Sequence, residues 1–539
     1  MRFPLIVFLC VVVTCCFTKQ NSIGQVQLQI PSMPEEEIIY HVFQRSFYDS
    51  NEDGHGDLNG VTHKLDYLKE LGVTSILMTP LYKSIYYHNY FADDFNTIDP
   101  EYGTLEDYFT MVRTIHDKGM KYYMDMEIHY VTQNHPWFGE SVGNPESEYS
   151  NYVIYNGPHN TEPETMIFNL TKLDSYDGNS VNITTIDVEN GKVKKEVYDL
   201  FKYWVDPNGD GKFEDGVDGF RIDHMMDDLD WKGIRTNMFE SFWAPLFKEL
   251  KVINPNIRVF GEQANWNDLG TDYFTKGGVD MMFAFAIREA FVASDKIKLI
   301  DKTDSTWMAT PERGSQILFL ENHDIARYAS VVDQDPARLR LGAFFMLFSK
   351  GIPSIYYGQE LGMTGAGGFG RFGVTDGNDI PMREAFEWYA DNSGEGLALW
   401  YKDSGPWWDE TNLKANDGIS LEEQKDDPTS LFNFYKQIIK LRKSRPALAV
   451  GDQKFMSNNT NELVSYIRHY KGKAYLVAFN TSADPIKGRV EMTGLPNAVK
   501  YSSKTSIVIS DGDTTIPKAD QSSIDVSISG YGFGLWELE

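Results

Sequence analysis

The sequence predicts an α/β fold: a (β/α)8 TIM barrel with a small domain inserted after strand three and an antiparallel β-sandwich at the C-terminal end. Three observations predict it. Short apolar runs alternate with helical periodicity at a steady pitch, giving eight strands with helices between them. The alternation breaks across residues 129–190, which are rich in Asn, Ser, Thr, Tyr and Pro. From residue 447 to residue 539 only short alternating strands remain, as in a sandwich.

Taken in order, residues 1–16 hold one Arg and then an apolar run of signal-peptide length, too short for a comfortable membrane span. The run ends in VTCC, which leaves two readings open. One is ordinary secretion with removal of the segment. The other is a bacterial lipoprotein signal with Cys15 or Cys16 as the lipidated residue. Either way the protein is expected to be exported: secreted, or a periplasmic or outer-membrane lipoprotein. All three cysteines lie in this segment, so no disulfide is expected in the mature chain. Residues 17–36 read as a linker.

The barrel begins at 37. Strand one covers 38–47 and a helix 61–71; strand two is 73–79 and strand three 120–128, ending near Asp125. Residues 37–128 form the first part of the barrel, 129–190 the insert and 191–446 the second part. That second part opens with helical pattern at 193–204. It continues with the apolar run of VDGFRID (217–223), a helix at 238–250, and strands at 258–263, 279–285, 316–324 and 352–358. Helices are expected at 336–348 and 431–446.

A chain of 539 residues with 42% hydrophobic and 14% aromatic residues can bury a large core. Its formal charge of −28 argues against a nucleic-acid backbone or an anionic membrane as partner, apart from an N-terminal lipid anchor. A monomer is expected.

The chemistry concentrates at strand ends. In a buried strand side chains alternate, so Arg221 and Asp223 point into one site, and a guanidinium is expected to keep the carboxylate ionised. Glu262 and Asp324 close two other apolar runs. A nucleophilic carboxylate and a second carboxyl of raised pKa are the minimum for retaining glycoside cleavage. Two loops place oxygen side chains at the spacing a hard cation needs. One offers Asp49, Asn51, Asp53 and Asp57; the other offers Asp206, Asn208, Asp210 and Asp215. Structural calcium is the expected ion.

With these residues in view, the chain resembles the alpha-amylase superfamily of retaining glycoside hydrolases. The strings that carry the likeness are GFRID (219–223), GE (261–262), NHD (322–324), DSNEDGHGD (49–57) and HNY (88–90) followed by DPEYGTLEDY (99–108). IPMREAFEWY (380–389) resembles a stretch near the barrel end of members acting on starch-like glucans. The resemblance implies Asp223 as nucleophile, Glu262 as acid/base and Asp324 as transition-state stabiliser. It further implies that Arg221 orients Asp223, that His323 and Tyr90 contact the sugar, and that His88, Asp125, Tyr130 and Arg327 complete the substrate-binding set.

The chain also departs from the family pattern. Third strands there commonly end in Asn-His, the Asn a calcium ligand and the His a contact to the sugar's 6-hydroxyl; here they are His129 and Tyr130. Asp227 stands where His is frequent, and Phe91 where a carboxylate is. Cleavage of α-1,4 bonds in starch-like α-glucans or malto-oligosaccharides is the leading expectation. Transglycosylation, a substrate altered at C6, and a glycan-binding protein with little turnover stay open.

Overall fold

The computed structural model describes residues 34–539 apart from Ala498 and Lys500. The expected signal segment, with the three cysteines, and the expected linker up to residue 33 lie outside the described residues.

Eight parallel strands close a barrel: β1 (Ile39–Val42), β2 (Ser75–Met78), β3 (Lys121–Met126), β4 (Gly219–Met225), β5 (Arg258–Gln263), β6 (Met281–Phe283), β7 (Ser315–Leu318) and β8 (Ile352–Tyr356). Each pairs with its sequence neighbours, and β1 closes the ring on β8 with Ile39 opposite Ser354. Alternation does what the sequence predicts. On β4 Phe220 and Ile222 pack outward into the large core under the helices, leaving Arg221 and Asp223 to face inward. Ile39, Leu77, Tyr123, Phe260, Met281, Ile317 and Ile352 fill the barrel itself. Gly219 is required by the closeness of β4 to β5. A Cβ there would meet the Arg258 carbonyl oxygen at 1.9 Å.

Helices follow the capping chemistry. Leu105–Asp117 starts on a capping box in which Thr104 and Asp107 satisfy each other's backbone N–H. Pro336–Phe348 starts on Asp335, with the proline in its first turn. The expected helix 61–71 is two helices, Leu58–His63 and Leu65–Leu71, that turn at Lys64. Two helices that periodicity passed over, Phe285–Val292 and Lys296–Ala309, lie between β6 and β7. The first begins two residues after a three-residue strand, so a single apolar run hides the boundary between them.

Between β3 and the helix Gly191–Val205, a three-stranded antiparallel sheet orders Tyr130–Thr132, Ser180–Thr185 and Lys172–Asp174. At the C-terminal end a five-stranded and a three-stranded antiparallel sheet face each other across Leu463, Ile467, Leu476, Val490, Ile524 and Trp536. Among the described residues no helix is long and apolar enough to cross a membrane.

Candidate active site

Arg221 is the hub. It is 1% exposed and lies under the open, C-terminal end of the barrel. One terminal nitrogen donates to Asp125 Oδ2 at 2.7 Å and to Asp223 Oδ1 at 2.5 Å. The other reaches Glu262 Oε2 at 2.7 Å. The planar fork of arginine suits this bridging role better than a lysine point charge would. Two local distortions aim the carboxyls. His224 has a left-handed backbone (φ 46°) directly after Asp223, and the β4–β5 register slips between Gly261 and Gln263, bracketing Glu262. Such bulges re-aim side chains at sheet ends.

Asp324 arrives from the loop after β7. It contacts His323 Nε2 at 3.1 Å and Arg383 at 3.2 Å. Tyr90 donates to Asp125 at 2.7 Å and lies 2.7 Å from His323 Nε2, which ties the loop after β2 to the loop after β7. A cavity of about 460 Å³ opens above these groups, with Asp223, Glu262 and Asp324 in its wall. Their side chains are 18%, 10% and 30% exposed, so none of the three is sealed from solvent.

The electrostatics correct one expectation. Arg221 alone does not hold Asp223 low: burial outweighs its pull, and the Glu127 and Asp125 carboxyls, when ionised, push Asp223 further above the ordinary range. Glu262 is pushed up to about 8, first by burial and then by Asp223 and Asp324, while Arg221 opposes the shift. Burial lowers His323 and His88, so both rings are neutral.

The sequence-derived contacts divide. His88, Tyr90, Tyr130 and His323 line the cavity. Tyr130 is held by Asp230 at 2.5 Å, and Asp230 also meets His224 and Lys232. Asp125 is fully buried beneath Arg221 and does not reach the cavity wall. Arg327 is a correction too: it lies outside the cavity, paired to Glu321 at 3.0 Å and sandwiched against Tyr356 and Tyr357. Its role is structural. Replacing it by Met should leave Glu321 buried without its cation and cost about 3–5 kcal/mol of stability, with catalysis unchanged below the melting point. Thermal unfolding with a parallel activity assay checks this; an unshifted melting point or a selective loss of activity would contradict it.

Sequence reasoning missed Glu127, His224, Arg383 and four exposed aromatics on the rim: Phe168, Trp231, Trp266 and Phe369. Phe168 from the insert meets Phe369 from the loop after β8 at 5.6 Å between ring centres. Such rings are natural stacking surfaces for sugars. Phe91, in the family's carboxylate position, also lines the cavity, against Tyr86, His88 and Tyr130.

In the predicted cation loops, Asp49 spends its oxygens on the N–H groups of Asn51, Glu52 and Gly54. Asp57 caps the helix Leu58–His63 and accepts from Ser50, while Asn51 and Asp53 bond each other. In the second loop Asn208 donates to Asp215 and accepts from the Asp210 N–H. Here Asp206 Oδ1 and Asp215 Oδ1 are buried without a partner. Among the described residues no three His, Cys, Asp or Glu side chains converge as metal ligands.

Comparison with known proteins places the chain in a family. A family profile described as "Alpha amylase, catalytic domain" matches residues 41–451. Alpha-amylase 3 of Dictyoglomus thermophilum is 29% identical over 453 residues, covering 82% of this chain and 84% of that protein. An oligo-1,6-glucosidase of Parageobacillus thermoglucosidasius is 28% identical over 552 residues, covering 88% and 94%. The crystal structure of an alpha-amylase from H. orenii superposes with a TM-score of 0.75 at 27% identity, covering 93% of this chain and 99% of that one.

Proposed function

The chain belongs to the alpha-amylase family of α-glucan-active glycoside hydrolases, and from that premise we propose that it cleaves α-1,4-glucosidic bonds of starch-like glucans or malto-oligosaccharides through a covalent glycosyl-enzyme intermediate. One observation carries the mechanism: Asp223 and Glu262 are gripped by the two terminal nitrogens of a single guanidinium and face one cavity. That grip favours the close carboxyl pair of retaining enzymes, roughly 5–5.5 Å, over the ~6.5–9.5 Å gap that admits a water in inverting ones.

Asp223 attacks the anomeric carbon. Glu262, protonated up to about pH 8, gives its proton to the leaving oxygen and later takes one from water. Asp324 faces the sugar and stabilises positive charge that develops there. The neutral ring of His323 is free to donate through Nε2 to Tyr90, Asp324 or a sugar oxygen. The aromatic rim supports further sugar units by stacking.

Linkage choice is open to direct test, because the amylase and the oligo-1,6-glucosidase are similar to this chain to nearly the same degree. Chromatography of products from starch, pullulan, cyclodextrins and malto-oligosaccharides should show maltose-series fragments of retained anomeric configuration. Turnover confined to α-1,6 linkages, or to analogues altered at C6, would overturn the α-1,4 assignment. Longer products built from malto-oligosaccharides would favour transglycosylation. No turnover on any α-glucan would favour a binding protein.

We also propose a structural calcium ion at residues 206–215. The two orphaned carboxylate oxygens there, with Asn208 and Asp210, are a hard-oxygen donor set that fits it. The ion would tie the end of the helix Gly191–Val205 to the start of β4, away from the chemistry. Chelation should lower the melting temperature, and Asp206→Asn should remove that sensitivity. A melting point indifferent to chelator would contradict the site.

A further inference from the structure

The inner face of β3 continues past its last paired residue. Tyr123, Asp125 and Glu127 share it by alternation, so Glu127 stands at the cavity wall above Asp125. The side chain is 1% exposed. Its Oε1 accepts from the backbone N–H of His129 and lies 2.7 Å from His129 Nδ1. Its Oε2 is buried and finds no N–H or O–H donor among the described residues. The Glu127 carboxyl meets the carboxyl of Asp223. Two carboxylate anions cannot hydrogen-bond to each other, so one proton belongs to this contact.

We infer that Glu127 is a positioning residue that carries this proton on Oε2 and donates it to Asp223, steadying the nucleophile as an anion. The inference rests on the reading of Asp223 as the nucleophile. Three features assign the proton to Glu127. Asp223 has a guanidinium at 2.5 Å, whereas among the described residues Glu127 is paired only with the neutral ring of His129. Glu127 is also the more deeply buried of the two. Its Oε1 is already an acceptor for His129, which leaves Oε2 to hold the hydrogen.

Burial pushes Glu127 up to about 8 and Asp230 adds to the rise, outweighing the hydrogen bonds with Asp223 and the His129 N–H and the charge of Arg221, which all pull it down. The groups facing it are Asp223 and Arg221 from β4, Asp230 from the loop beyond, His129 from its own segment, and the hydroxyls of Tyr82 and Tyr130. His129 is driven down to about 4 by burial and stays neutral. A hydrogen bond to the Asp223 anion also stabilises it as the leaving group when the glycosyl-enzyme is hydrolysed. Glu127 would therefore assist the second half of the cycle, although it forms no bond to the sugar.

The test compares wild type, Glu127→Gln and Glu127→Leu in kcat/KM against pH. A glutamine can accept from His129 with its oxygen and donate to Asp223 with its amide. Glu127→Gln should therefore retain activity within about threefold and keep the acid limb in place. It should also lose one ionisation from the alkaline limb, which becomes shallower than that of wild type. Glu127→Leu removes the donor and should move the acid limb to higher pH by about half a unit or more. An acid limb that stays put or moves to lower pH in Glu127→Leu would show that Glu127 does not stabilise the anion, and overturns the inference. Should Glu127→Leu not fold, an alkaline limb in Glu127→Gln as steep as that of wild type does the same.

Infrared difference spectra of wild type minus Glu127→Gln at pH 6 give a readout that needs no turnover. Loss of a protonated-carboxyl C=O band supports the assignment, and its absence contradicts it. A wild type without activity that still shows this band would fault the hydrolase reading and leave the proton on Glu127.

Discussion

Asp223→Asn should lower kcat by a factor on the order of 10⁴ or more, while oligosaccharide binding and the melting point change little. The amide is isosteric and can still accept from Arg221, so the hub is kept. What disappears is the bond-forming oxygen. Each tenfold loss corresponds to about 1.36 kcal/mol of barrier, so the substitution removes roughly 5 kcal/mol of transition-state stabilisation. Direct binding of a malto-oligosaccharide, by calorimetry, separates this outcome from a folding defect. Residual activity above one per cent would point to another nucleophile.

The second large effect belongs to Glu262→Gln. Loss of a general acid costs about 10²–10⁴ in rate, and the cost depends on the leaving group. An unactivated sugar needs the proton. An activated leaving group such as fluoride or a nitrophenolate does not, so the first step should survive with such substrates and the glycosyl-enzyme should accumulate. Wild-type kcat/KM should fall as pH rises through about 8, where Glu262 loses its proton. The sign follows from the raised pKa: the competent protonated form exists below it. Glu262→Gln should lack this Glu262-dependent part of the alkaline limb. A variant that is equally slow on activated and unactivated substrates would argue against the acid role.

The barrel was legible because two physical signals agreed. Buried parallel strands read as apolar runs, and the period changed to helical after each of them. The three acidic strand-end residues were legible for the same reason, although their placement differs in detail. Glu262 sits within β5, whereas Asp324 lies on the loop beyond β7.

Glu127 was within reach of the same parity rule. Ending the third strand near Asp125 hid the next inward position, two residues on. Phe168 and Phe369 could not be found in this way. They are about 200 positions apart, on irregular loops whose periodicity carries no direction, and only the closed barrel brings them together. Arg327 misled by proximity to NHD, since its guanidinium turns to Glu321 and the rings of Tyr356 and Tyr357 and does not line the cavity. The cation loops differ from each other. In the first, backbone N–H groups of the turn take up the Asp49 oxygens, whereas in the second two carboxylate oxygens stay unpartnered.

The most direct measurement is to label Glu262→Gln with a fluorinated glucosyl fluoride and map the adduct by peptide mass spectrometry. One glycosyl unit esterified to Asp223 is the predicted result. A label on a different carboxylate, or products released with inverted anomeric configuration and no adduct, would contradict it.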